Sequence, residues 1–126
     1  MKMYYLNVKK QVCGIVDIEP KLDEYYKLID CDCITITTIQ ILGHIYDVIC
    51  DDEALLKDDP IPAILVCNGY SIYGNVLICK DDCEGNETGL DFYDVDRISN
   101  SIYLSTRDGI AKKVIVCDDI FDEDKI

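Results

Sequence analysis

Residues 48–56 read VICDDEALL: two β-favouring residues run into a cysteine, then three acids, then an apolar trio. Much the same cadence returns as LVCNGY at 65–70, LICKDD at 77–82 and VIVCDD at 114–119. Runs this short and this rich in Val, Ile and Leu read as strands, and the polar step after each marks where the chain leaves the core. The cadence does not recur at a fixed period, so it is no solenoid. Free cysteine behaves as a small hydrophobe and is among the most buried residues. Cys50, Cys67, Cys79 and Cys117 are therefore read as core residues near strand ends.

Working outward, MYYLNV (3–8) and QVCGIVDI (11–18) read as two strands, with Lys9 and Lys10 at the turn between them. Pro20 suits a helix start, and Leu22, Tyr25, Tyr26 and Ile29 follow at helical spacing. DCITITTIQI (32–41) alternates as a strand, Gly43 and His44 turn the chain, and IYDVIC (45–50) pairs back. The excursion at 51–63 is polar, and Pro60 and Pro62 block regular pairing there. AILVC is the next strand, NGY a turn and GNVLIC a further strand. Asp91 is the N-cap of a second short helix carrying Val95, Ile98 and Ile102. A C-terminal hairpin turns at Asp108-Gly109, a pair that supplies positive φ. Its apolar face is read as Ile102, Leu104, Val114 and Val116, against Tyr103, Ser105, Lys113 and Ile115. DDIFDEDKI (118–126) reads as a frayed acidic tail. The fold expected is α+β in a single domain over residues 1–126: a mostly antiparallel sheet, two short helices and the C-terminal hairpin.

The eight cysteines do not carry zinc spacing. The close pairs are Cys31-x-Cys33 and Cys79-x3-Cys83, not two knuckles of C-x2-C. On a strand, Cys31 and Cys33 would share a side and hold half a site, but His44 is the only histidine. No metal and no other cofactor is expected. The acidic neighbours of the cysteines raise thiol pKa values, which argues against a nucleophilic cysteine. The acidic loop 80–89 fits no register of a calcium-binding EF-hand. The chain lacks a P-loop, a Gly-rich phosphate fingerprint and a Ser-His-Asp pattern, so no enzyme is expected.

Charge is the strongest functional signal. The chain has 25 acids against 12 Lys and Arg, a formal net charge of −13. The imbalance is uneven: residues 1–30 are neutral, whereas 31–126 hold seven bases and twenty acids. Such a field repels nucleic acid and anionic membranes and favours basic partners. The N-terminus has no signal-peptide character and no apolar run reaches membrane length, so a cytoplasmic protein is expected.

YYKLIDCDCITI, YDVICDDEALLKDDPIPA, GNVLIC and EGNETGL together resemble the family called "domain of unknown function 3846". The resemblance spans roughly 15–100 and is most specific from Tyr46 to Ala63 and from Gly74 to Cys79; the hairpin and tail of 101–126 look like an addition. It implies a small accessory protein of phages and other mobile elements in bacteria, and supplies no catalytic residues. A protein of that origin and charge would bind and inhibit a host nucleic-acid-binding defence protein, such as a CRISPR or restriction nuclease, by presenting carboxylates as DNA presents phosphates. The partner-binding candidates are Asp51, Asp52, Glu53, Asp58 and Asp59 in one loop, Asp81, Asp82, Glu84 and Glu87 in a second, and Asp91, Asp94 and Asp96 on the second helix. The alternative is a sponge for a nucleotide immune signal, using Arg97, Arg107, Lys112, Lys113 and tyrosines, with the hairpin in a homo-oligomer interface.

Overall fold

The computed structural model describes residues 1–57, 59–66, 70–81 and 87–121, the Arg107 side chain excepted. Among the described residues eleven strands form in chain order: β1 (Lys2–Asn7), β2 (Val12–Asp17), β3 (Ile34–Ile41), β4 (His44–Asp51), β5 (Pro62–Val66), β6 (Ser71–Tyr73), β7 (Val76–Asp81), β8 (Glu87–Thr88), β9 (Ile102–Arg107), β10 (Ile110–Cys117) and β11 (Asp119–Phe121). The helices are α1 (Leu22–Ile29) and α2 (Phe92–Ser99), and a 3-10 turn covers Ala54–Leu56. One sheet runs β11-β3-β4-β7-β1-β2, with β8 beside β7; the other runs β6-β5-β10-β9. All pairings are antiparallel except β10 with β5. The fold is thus α+β and mostly antiparallel, as expected.

The central strands explain why the apolar runs do not alternate cleanly. Met3, Ile49, Leu77 and Cys79 point to one face of the large sheet and pack against Tyr25 and Ile29 of α1. Tyr4, Leu6, Tyr46, Val48, Cys50, Val76 and Ile78 point to the other face and meet Ile64 and Ile115 of the small sheet and Ile98 of α2. A strand buried on both faces needs apolar residues at successive positions. Cys50 and Cys79 therefore belong to opposite core layers, and Cys117 joins the layer of Cys50. At Cys50 and Cys117 the Cys-polar step is core packing followed by strand exit, whereas after Cys79 the strand runs on through Lys80 and Asp81.

Several expectations change. Residues 119–121 are not a frayed tail: β11 pairs with β3, Ile120 opposite Ile39, and Ile120 packs against the core. Ser71–Tyr73, which the sequence reading leaves unassigned, is a strand, with Ile72 buried between two polar-tipped neighbours. The hairpin turns as read, with Asp108 at φ 54° and Gly109 at φ 79°. Its register, however, sets Ile115 opposite Ile102, so these two share the core face while Leu104 is 70% exposed. Pro62 does not block pairing; it opens β5, and the ladder to β6 shifts register between Pro62 and Ile64.

Candidate functional site

A polar knot fastens α2 to the sheet. Asp91 caps the helix: its carboxylate accepts from the Asp94 amide at 2.9 Å, while Asp94 Oδ2 accepts from the Asp91 amide at 2.9 Å. The same Asp94 accepts from the Tyr46 hydroxyl at 2.9 Å and pairs with Lys80 Nζ at 2.7 Å and Arg97 at 3.2 Å. Arg97 also donates to the Tyr46 oxygen. Burial alone would raise the Asp94 pKa, but the bonds from Lys80, the Asp91 amide and Tyr46 outweigh it and hold the carboxyl at about 2. Burial, with Asp94 adding to it against Arg97, pushes the Tyr46 phenol up to about 12. At neutral pH the phenol is therefore protonated and the carboxylate ionised. The knot thus ties Asp94 and Arg97 of α2 to Tyr46 and Lys80 of the sheet. A cavity of about 370 Å³ lies over it, bounded by His44, Tyr93 and Arg97.

A second cluster forms where β4 ends. Asp51 is buried, pairs with Lys57 Nζ at 2.7 Å and accepts from the Glu53 amide at 2.9 Å. The Asp52 amide donates to the Cys33 carbonyl at 3.0 Å. These bonds fix the 3-10 turn, which buries Ala54 and leaves Leu55 and Leu56 68% and 83% exposed. Gly74, at φ +85°, lies where an added Cβ would stand 3.6 Å from the Ala54 Cβ. Beside the turn a groove of about 460 Å³ opens between the sheets, floored by Thr37, Cys50 and Ile120 and walled by Ile72 and Tyr73.

The acids of the third cluster stand at the opposite end of the large sheet. Glu87 is half-buried and accepts from the Tyr25 hydroxyl at 2.6 Å. Burial, then Glu87, raises the Tyr25 phenol. Asp47 is raised first by burial and further by Asp81 and Glu87, against the bond from Thr38. Asp47 and Asp51 are four residue steps apart along β4, roughly 13 Å at 3.3 Å per residue.

The twelve candidate acids therefore do not form one face. Asp52, Glu53 and Asp59 are exposed at one end; Asp81, Asp91 and Asp96 are exposed at the other, on both sides of β7. Asp51 and Asp94 are corrections: both are buried and ion-paired, 8% and 5% exposed, so neither offers its carboxylate to a partner. Residues 58, 82 and 84, the sites of Asp58, Asp82 and Glu84, lie outside the described residues. What the sequence did not reveal is the Tyr46–Asp94–Arg97 knot. Its one legible signal was Asp91-x-x-Asp94, the acid version of a capping box.

The cysteines follow burial. Cys50, Cys79 and Cys117 are buried, Cys13 and Cys31 half-buried and Cys33 exposed; Cys67 and Cys83 lie outside the described residues. Burial, more than the neighbouring acids, pushes the thiols of Cys50 and Cys117 up to about 11 and that of Cys79 to about 12. Cys31 and Cys33 precede β3 rather than lying on a strand, which removes the shared-side geometry. Among the described residues no three His, Cys, Asp or Glu side chains come together as a metal site. Nor is any helix among them long and apolar enough to cross a membrane.

Fold and site together define a two-sheet α+β domain with carboxylates at both ends of its large sheet. The family model described as "Domain of unknown function (DUF3846)" matches residues 1–103, and the chain belongs to that family. No curated protein matches the chain, and no solved structure does. The match reaches further toward the N-terminus than the resemblance read from the sequence and ends as β9 begins.

Proposed function

We propose that this protein is a non-catalytic binding protein of a mobile element, which engages a basic, nucleic-acid-binding host defence protein through its acidic surface. The observation that carries this reading is how the nearby cations are used. Lys57, Lys80 and Arg97 are each held on a carboxylate within the domain. Asp52, Glu53, Asp59 and Asp96 are exposed and make no salt bridge with another described residue. The cations neutralise buried acids, and the outward field is left to the exposed ones. The raised thiols of Cys50, Cys79 and Cys117 and the raised phenol of Tyr46 support a non-catalytic role, since each is in its protonated form at neutral pH. The nucleotide-sponge alternative draws no support from Arg97, whose guanidinium already serves Tyr46 and Asp94.

The test is capture of a host partner by the tagged protein, then affinity across a salt series. Binding should weaken steeply as salt rises, and duplex DNA should compete for the partner. Changing Asp52, Glu53 and Asp59 together to Asn, Gln and Asn should reduce affinity while the circular dichroism spectrum is kept. Flat salt dependence with no competition by DNA would reject charge mimicry. A loss confined to Lys112→Ala and Lys113→Ala would move the reading to the sponge.

A further inference from the structure

We propose that the groove beside the 3-10 turn is the docking point for a cationic protein segment that carries large apolar side chains. This deepens the acidic-surface reading and rests on it, because it names where and how a basic partner is held.

The groove combines three properties. Its lip is apolar: Leu55 and Leu56 project from a turn whose buried anchor is Ala54, so neither leucine is needed to seat the turn. Adjacent exposed leucines are a liability on a lone surface and a contact on a bound one. Its rim is negative: Asp52 and Glu53 precede the leucines and line the same groove, and the turn's own cation, Lys57, is held by Asp51 at 2.7 Å. Its shape is set before binding, because Asp51, the Glu53 amide and the Cys33 carbonyl fix the turn. A preformed site loses less ordering entropy when it is filled.

Charge complementarity selects the occupant. An anionic ligand meets Asp52 and Glu53, while Lys57 is already engaged by Asp51. A second copy of this chain, at −13, brings the same sign to the rim. A segment with Lys or Arg beside Leu, Phe or Met satisfies both lip and rim: its apolar side chains enter between the sheets, and its cations reach the two carboxylates. Amphipathic basic helices dock in apolar grooves in this way.

The experiment uses three labelled synthetic peptides of equal length, read by fluorescence anisotropy with the full chain. One patterns Leu and Lys as an amphipathic helix, the second replaces its Leu with Ser, and the third replaces its Lys with Glu. The Leu/Lys peptide should bind tightest. The Leu55→Ser, Leu56→Ser double variant should weaken it about tenfold or more, about 1.4 kcal/mol per decade. The Ser/Lys peptide should bind weakly, vary with salt and bind both proteins alike. Both leucines are exposed, so folding should be unchanged by circular dichroism. Equal binding of the Leu/Lys peptide to both proteins would overturn the groove while leaving the acidic surface standing. Salt-independent binding, or binding of the Glu peptide as tight as the Lys peptide, would overturn both. Wild-type affinities that are equal for the Leu/Lys and Ser/Lys peptides would also reject the groove.

Discussion

Replacing Asp94 by Asn removes one charge from the knot and turns one of its two accepting oxygens into an NH2 donor, so either Tyr46 and Arg97 or Lys80 and the Asp91 amide lose their acceptor. The side chain is 7% exposed and ion-pairs with Lys80 at 2.7 Å and Arg97 at 3.2 Å, whose side chains are 32% and 19% exposed. Its pKa falls from the ordinary 3.8 to about 2 on folding, a differential stabilisation of the ionised form of about 2 kcal/mol. A depressed carboxylate stabilises the fold fully above its unfolded pKa and loses that contribution as pH falls through the folded value. The window here runs from about pH 5 down to about pH 2. The donors left without an acceptor by the new amide add to the cost. At pH 7 Asp94→Asn should therefore cost about 2–4 kcal/mol, or about 8–15 °C in Tm for a chain of this size. The assay is urea unfolding of both proteins by circular dichroism at a series of pH values. The difference between them should be constant from pH 7 to about pH 5 and shrink as pH falls further. The remaining carboxylates titrate in both proteins and cancel in the difference. Equal stability at pH 7, or a gap that does not narrow in acid, would refute the knot as described.

Tyr46→Phe deletes the hydroxyl between Arg97 and Asp94 but leaves their direct contact, so it should cost about 1 kcal/mol in urea unfolding. Gly109→Ala places a Cβ at φ +79° in the hairpin turn and should cost about 1 kcal/mol, read as a lower urea midpoint with unchanged slope. In a thiol-reagent time course at pH 8, Cys33→Ser should remove one rapidly reacting equivalent and Cys79→Ser none, because Cys33 is exposed and Cys79 is buried with its pKa pushed up to about 12. Purified protein should hold no stoichiometric zinc, and a chelator should leave Tm unchanged; about one zinc per chain by elemental analysis would contradict this.

Local chemistry made much of the fold readable. Alternation in ITITTIQI marked β3, Asp108-Gly109 marked the hairpin turn and Asp91 marked the start of α2, since each signal acts within a few residues. The elements misread or left unassigned depend on distant partners. Asp119–Phe121 is acidic and short, and becomes a strand only because β3 offers it an edge. Ser71–Tyr73 has one strongly apolar residue and is held by β5. The hairpin's core face was misassigned because both Val114 and Ile115 are buried, so composition does not say which of them meets Ile102. Among the site acids, counting charges could not separate Asp51 from Asp52. They are adjacent in sequence, yet strand geometry turns the first toward Lys57 and leaves the second outside.

Asp118 is a single residue between two sheets: β10 before it belongs to the small one and β11 after it to the large one. One residue spans at most about 3.6 Å, so the sheets cannot slip past each other here by even two positions without tearing a ladder. The corner is locked further by the Asp118 amide on the Gln40 carbonyl at 2.7 Å and by its carboxylate on the Gly43 amide at 2.8 Å. Ile120, two residues on, forms part of the groove floor. The gap between the sheets is thereby set at this corner like the jaws of a gauge, and a segment docking as proposed would have to match its width.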